Sequence, residues 1–150
     1  MIPIIIDTRE QQPWAFAEYS TTVQKLDTGD YTIRGMEDVL CIERKKSVSE
    51  LATNIMEDRF WREMERMGSF THKFLILEFD YRHIMDYPEG SDLPKRVKSR
   101  IRIRGPFIIK KMCEIQMNHS VHILPCGNTE NAEFVATNII KKVYEMGNAT

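Results

Sequence analysis

Gly29-Asp30-Tyr31-Thr32-Ile33-Arg34, then Gly35-Met36-Glu37-Asp38, then Val39-Leu40-Cys41-Ile42-Glu43-Arg44-Lys45, is the stretch from which the rest of the chain can be read. Tyr31 to Arg34 and Val39 to Lys45 are short runs of strand-forming residues, and Gly35 to Asp38 has the composition of a turn. The spacing predicts a β-hairpin. Side chains on a strand alternate between faces, so Glu43 and Lys45 share one face and Arg44 lies on the other. Asp30, after Gly29, stands where the chain enters the first of the two strands.

Working outward, Ile2 to Ile6 reads as a buried strand and Val23 to Leu26 as a second one. Val48, Leu51, Ile55, Phe60, Met64 and Met67 recur at helical spacing, with Ser47 and Glu50 as a capping box and a bend or break near Glu57-Asp58-Arg59. Phe74 to Phe79 is the next apolar strand, closed by Asp80. From Tyr81 to Gly105 the pattern is weak: Arg100-Ile101-Arg102-Ile103-Arg104 alternates as a strand does, but Lys95 to Gly105 also suits a short helix or a loop. Pro106 suits the start of a helix running to about His119. Val121 to Leu124 is a last strand, and Asn128 or Thr129 caps a final helix to about Met146. This order predicts one α/β domain over residues 1–150, with a mixed central sheet and helices on both faces.

Composition narrows the function classes. Hydrophobic residues make up 42% of the 150 residues and charged residues 29%, a folded and not a disordered balance. No apolar run is long enough for a membrane span, and the first residues lack the marks of a secretory signal. Cys41, Cys113 and Cys126 form no disulfide framework or metal-type pair, which points to a reducing intracellular compartment. The net charge of −1 hides an asymmetry: residues 1–94 carry −7 and residues 95–150 carry +6. Lys95, Arg96, Lys98, Arg100, Arg102 and Arg104 concentrate that positive charge. Such a run beside an acidic body suits a polyanion, the alternative being a solvated face.

Two acids and a lysine converging from adjacent strands suit metal-assisted phosphodiester hydrolysis. Carboxylates are hard oxygen ligands for Mg²⁺, which keeps several of its waters. The ion polarises a phosphoryl oxygen and acidifies bound water, while a lysine orients that water, helps deprotonate it or offsets charge at phosphorus. On its own, an acid-x-lysine triplet is a common surface pattern.

Ile4-Ile5-Ile6-Asp7-Thr8-Arg9-Glu10, Gly29-Asp30-Tyr31 and Ile42-Glu43-Arg44-Lys45 together resemble the nuclease domain of the XPF-type structure-specific endonucleases, within the PD-(D/E)XK nuclease superfamily. Asp58-Arg59-Phe60 with Glu63 and Arg66, Leu75 to Asp80 and Asn128 to Val143 extend the resemblance over nearly the whole chain. It implies a restriction-endonuclease-like fold, a mixed central sheet flanked by helices, and a Mg²⁺-dependent DNA endonuclease for which Mn²⁺ substitutes. Asp30 and Glu43 would be metal ligands, with Asp7 contributing directly or through water. Lys45 would be the catalytic lysine, and Arg9, Glu10 and Arg44 phosphate-holding or ligand-orienting groups. The family's final aspartate, four residues beyond the lysine, is here Ser49 with Glu50 next. Either one residue is extra after Lys45 or the downstream part counts from Lys46; the Lys45 register keeps Glu43 in phase. Members commonly add a tandem helix-hairpin-helix domain for dimerisation and junction binding. These 150 residues read instead as a stand-alone nuclease domain, with branched or flap DNA as a candidate substrate.

On a nuclease, Lys46 and the run Lys95, Arg96, Lys98, Arg100, Arg102 and Arg104 would follow the phosphate backbone. The implied partners are DNA and either a second copy or a junction-reading protein, with no membrane. The implied location is the cytoplasm of a bacterial or phage-infected cell, or a eukaryotic nucleus. The alternative class is a non-catalytic DNA-binding or assembly module on the same fold, and RNA stays open as a substrate. His119 and His122 read as structural, Trp14 and Phe16 as a hydrophobic plug, and Glu63 with Arg66 as a helix-surface pair. Glu78 and Asp80 read as strand-end carboxylates, either turn chemistry or neighbours of the metal.

Overall fold

The computed structural model describes residues 1–148, so the last two residues of the expected domain lie outside the described residues. Strands β1 (Pro3–Ile6), β2 (Ser20–Val23), β3 (Tyr31–Ile33) and β4 (Leu40–Lys45) precede helices α1 (Val48–Asn54) and α2 (Asp58–Gly68). There follow β5 (His72–Leu77), α3 (Tyr81–Met85), α4 (Lys95–Lys98), α5 (Gly105–His119), β6 (His122–Pro125) and α6 (Thr129–Gly147). The six strands form one mixed sheet in the order β2-β1-β3-β4-β5-β6. β1, β3 and β4 are antiparallel neighbours, whereas β2 joins β1, β5 joins β4 and β6 joins β5 in parallel.

Strand alternation sorts the core into two halves. Ile4, Ile6, Ile33, Leu40, Ile42 and Ile76 pack against Ala132, Ala136, Ile140 and Val143 of α6. On the opposite face Cys41, Leu75, Leu77 and Ile123 meet Leu51, Phe60, Met64, Met67, Ile108, Met112 and Ile115 from α1, α2 and α5. Odd residues of β4 therefore face α1 and α2, and even ones face α6.

The hairpin forms as expected, with Tyr31 opposite Ile42. The long helical stripe breaks into α1 and α2 near Glu57, where the side-chain amide of Asn54 donates to Glu57 Oε1 at 3.2 Å. Ser47 caps α1 by accepting from the backbone of Glu50 at 3.1 Å, while the Glu50 carboxylate reaches back to the Lys46 N–H at 2.8 Å.

Three expectations shift. β2 lies earlier than Val23 to Leu26, because only Ser20–Val23 pairs with β1 and the Leu26 N–H turns aside to Asp7 Oδ1 at 2.7 Å. The alternating segment Arg100 to Arg104 is not a strand. Ile101 and Ile103 pin an irregular chain to the core, and the arginines between them are exposed. Tyr81 to Gly105 instead carries α3, whose N-cap Asp80 forms a reciprocal capping box with His83, and the single turn α4. Gly105 opens α5 where a Cβ would stand 2.5 Å from the Ile84 carbonyl oxygen, so no larger residue permits this approach to α3. Among the described residues no helix is long and apolar enough to cross a membrane.

Candidate active site

Gly29 sets the position of Asp30. Its φ of +86° and a space in which a Cβ would lie 2.5 Å from Cys41 Sγ require glycine. The chain thus lies close against β4: the Asp30 N–H donates to the Ile42 carbonyl at 2.8 Å, and the Asp30 carbonyl accepts from Asp7 N–H at 2.8 Å. Asp30 Oδ2 accepts from the Arg44 N–H at 2.8 Å, which fixes the carboxyl beside the end of β4.

Glu43 and Lys45 come to the same place from the α1/α2 face of β4, both buried, with Lys45 Nζ 3.3 Å from Glu43 Oε2. The ammonium also lies 5.5 Å from the centre of the Phe60 ring. Glu63 of α2 completes the group by hydrogen bonding to Glu43. Crowding separates the acids. Burial, then the charge of Glu43, drives Asp30 well above the ordinary carboxylate range. The same two causes push Glu63 up to about 8. Burial opposes the charge on Glu43 too, but Lys45 and hydrogen bonds from Asp30 and Glu63 outweigh it and hold Glu43 low. Lys45 is desolvated, yet Glu43, Glu50, Glu63 and Asp30 keep it above its usual value, as an ammonium. This crowding favours the charged form of Glu43 and the protonated forms of Asp30 and Glu63.

Arg44 has a different setting. Its Nε donates to Glu78 Oε2 at 2.9 Å, and its Nη1 donates to Glu10 Oε2, the Gln12 carbonyl and the Tyr31 hydroxyl at 3.0, 2.8 and 3.2 Å. Trp14 stacks on Tyr31, lies under the guanidinium at 4.8 Å and donates to Glu78 Oε2 at 2.8 Å. Thr129 holds the other Glu78 oxygen at 3.1 Å. Trp14 and Phe16 are thus a plug, and Glu78 is an internal counter-ion. Asp7 is fully buried: Oδ1 takes the Leu26 N–H, and Oδ2 takes the Arg9 N–H at 3.1 Å and Arg9 Nε at 2.6 Å. Burial disfavours its charge, but these donors win and its pKa is lowered.

A cleft of about 280 Å³ brings Arg9, Glu10, Asp30, Glu43, Arg44 and Lys45 together, with Gln11, Lys46 and Glu50. Asp7 does not line it and braces Arg9 from behind. Lys95, Arg96, Arg100, Arg102 and Arg104 are exposed, Lys98 is half-buried, and none of the six lines the cleft. Glu63 is the residue that sequence reasoning misassigned. Arg66 donates to Thr28 Oγ1 at 3.0 Å, and Glu63 turns inward. The available signal was its place three after Phe60 and four before Met67, on the flank of the buried stripe.

The donor set fits a hard divalent ion. Asp30 and Glu43 present carboxyl oxygens to an open cleft, and Mg²⁺ needs only one or two carboxylates beside water and substrate phosphate. Among the described residues no group of three or more His, Cys, Asp or Glu is placed so that it could hold a metal ion, His119 and His122 included, so the carboxylates offered here are the pair Asp30 and Glu43. A cation there would favour the ionised forms of Asp30 and Glu63, which burial and the charge of Glu43 disfavour.

The mixed sheet, its flanking helices and an Asp30, Glu43 and Lys45 cleft at the end of β4 define the restriction-endonuclease-like α/β fold class. Residues 6–137 match the ERCC4 domain, and the chain belongs to that family. The fold is similar to that of XPF from Aeropyrum pernix, with TM-score 0.66 and 17% identity over 99% of this chain and 62% of that one. XPF from the same organism in complex with DNA gives TM-score 0.69 and 15% identity over 100% of this chain and 68% of that one. No curated protein sequence matches.

Proposed function

We propose that this chain is a metal-dependent DNA endonuclease that hydrolyses a phosphodiester bond in the cleft at the end of β4. The observation that carries the reading is the packing of Asp30, Glu43 and Lys45 around one open cleft. Asp30 and Glu43 would hold Mg²⁺ or Mn²⁺, with Asp7 acting behind them through Arg9. The ion supplies polarisation of the phosphoryl oxygen and acidification of a bound water.

Each residue then has a task set by its surroundings. The Lys45 ammonium, held charged by its acidic neighbours, donates to a phosphate oxygen or to the attacking water and offsets negative charge gathering at phosphorus. Arg9, with its side chain 65% exposed and Nη2 on the Leu26 carbonyl at 3.0 Å, is placed to hold the flanking phosphate. Arg44 and Glu10 orient β4 and the loop after β1 through their buried pair, so their part is positioning. DNA is the substrate in this reading, with flap and forked forms as its branched candidates. A second copy or a partner protein would supply junction recognition.

The test is cleavage of labelled single-stranded, duplex, flap and forked DNA with Mg²⁺, Mn²⁺ or EDTA, with Asp30→Asn as control. Cutting that needs metal and is lost in Asp30→Asn is the expected result. Tight, salt-sensitive binding with no cutting under either metal would turn the assignment to a non-catalytic DNA-binding module.

A further inference from the structure

The six-stranded sheet has two edges, β2 and β6, and they are built differently. At β6 the Cys126 N–H donates to the Leu77 carbonyl, so by alternation His122 and Leu124 turn their backbone groups to β5, while Ile123 and Pro125 turn theirs outward. Proline has no N–H, so this edge offers an incoming strand an incomplete ladder. At β2 the Gln24 N–H donates to the Ile6 carbonyl at 2.9 Å, which turns Ser20 and Thr22 to β1 and Thr21 and Val23 outward. Both outward residues keep an N–H and a C=O, and no loop or turn backbone among the described residues takes them up. Ser20, Thr21, Thr22 and Val23 are all exposed and carry no charge, and Val23 is 63% exposed although it pairs with the buried Ile6. Native sheets block such an edge with charge, proline or a bulge, and β2 has none of these.

The flanks of β2 say what strand suits it. Glu18 lies before the strand and Lys25 after it, both exposed and neither in an ion pair among the described residues. An antiparallel strand of the same sequence brings its own Lys25 to this Glu18 and its own Glu18 to this Lys25. A parallel copy would set like charge against like at both ends. With Thr22 on the two-fold axis, Thr21 of each copy lies opposite Val23 of the other, and each such pair exchanges both of its N–H···O=C bonds. Thr22 then lies opposite Thr22, a favoured cross-strand pair.

We propose that β2 is the interface for a second copy of this chain, paired antiparallel edge to edge so that the two sheets become one. The contact uses the same surface on both copies, so it closes as a dimer and does not propagate. Stable interfaces bury about 1,200–2,000 Å² in all. Two strands of four residues bury less, so the pairing is weak and follows protein concentration. No residue of β2 lines the cleft at the end of β4, and the pairing therefore stands apart from the proposed hydrolysis.

The test is analytical ultracentrifugation over a range of concentrations for the unaltered protein, Val23→Pro, Lys25→Glu and the exchange Glu18→Lys with Lys25→Glu. Thermal melts establish that each variant is folded, and Lys25→Glu, at an exposed position, spares the core. The expected result is a monomer–dimer equilibrium. Val23→Pro removes one outward N–H from each copy, leaves the bonds to β1 in place and should raise the dimer dissociation constant about tenfold or more. Lys25→Glu sets carboxylate against carboxylate at both ends and should raise it about threefold, and the exchange should bring it back. A protein that stays monomeric at every concentration overturns the proposal and leaves this edge to a strand of another protein. So does a dimer that Val23→Pro and Lys25→Glu both leave unchanged, which would lie on another face. An exchange that fails to restore what Lys25→Glu loses also overturns it. Mass is the readout throughout, so a protein that dimerises without cutting DNA refutes only the nuclease, and one that cuts as a monomer refutes only the β2 pairing.

Discussion

On the α6 side of β4, Arg44 meets Glu10, Glu78, the Gln12 carbonyl and the Tyr31 hydroxyl over the face of Trp14, and each charge has its partner. One residue to either side, Glu43 and Lys45 face α2 with Asp30 and Glu63, three carboxyls for one ammonium. The same strand, at the same depth, thus carries one set in which a single guanidinium bridges both carboxylates and one in which three carboxyls crowd a single ammonium. Completed networks hold a fold together, whereas a deficit of positive charge in an open cleft is a place for a ligand. Of the phosphate-holding and ligand-orienting roles that the resemblance implies for Arg44 and Glu10, the comparison favours the second, as supports for the strand that presents the site.

The sharpest way to break this contrast is to substitute one residue on each side. Asp30→Asn keeps the shape and can still accept from the Arg44 N–H, and it replaces a carboxyl whose neutral form burial and the charge of Glu43 favour. Turnover should fall by about 10³-fold or more while the melting temperature stays or rises. Arg44→Ala should do the reverse in kind. It strands Glu78 and Glu10 in the interior, an effect of about 3–5 kcal/mol on folding, read by urea denaturation. A stable Arg44→Ala, or an Asp30→Asn that unfolds, would reverse the assignment of the two faces.

The deficit also has a pH signature. Glu63 titrates near its ordinary 4.5 when unfolded and at about 8 when folded, so the folded state holds the extra proton between those values. Stability of the metal-free protein should be greatest at the acid end of that window and fall as pH rises through it. Asp30, also raised, acts in the same direction. Asp7 and Glu43 are lowered, so their contributions are lost only as pH falls through the acid range and do not oppose the trend. Melts from pH 5 to 8 in EDTA should therefore slope downward, and Glu63→Gln should flatten them. Mg²⁺ should raise the melting temperature more at pH 8 than at pH 5, because its ligands must lose their protons.

Legibility in the sequence followed the same division. Alternation along Leu40 to Lys45 placed Glu43 and Lys45 on one face and Arg44 on the other, and the structure keeps that register. Long periodic elements such as α5 and α6 were legible because burial repeats over many turns. α3 and α4 were not, since a helix of one turn has no period, and the Ile101 and Ile103 alternation comes from anchoring without a strand partner. Glu63 was missed because a lone acid beside a buried stripe has the same appearance on paper as one in water. Arg44 and Glu10 were grouped with the site through family resemblance, and only the hydrogen bonds show what they hold.

The smallest expected effect tests whether the basic run shares in binding. Lys95, Arg96, Arg100 and Arg102 are exposed and in no ion pair among the described residues, whereas Arg104 pairs with Glu89 and Lys98 Nζ donates to the Glu89 carbonyl at 2.8 Å. The cations therefore divide into those available to phosphate and those already engaged on their own loop. Each phosphate neutralised contributes about 0.9 to the slope of log affinity against log salt on duplex DNA. Replacing Arg100 and Arg102 together by alanine should lower that slope by about 1.8, and Arg104→Ala should lower it by less, because Glu89 competes for the same guanidinium. An equal loss from Arg104→Ala would mean that DNA displaces Glu89. A slope unmoved by the double substitution would make the run a solvated face, leaving the cleft at β4 and the loop after β1 as the DNA contacts.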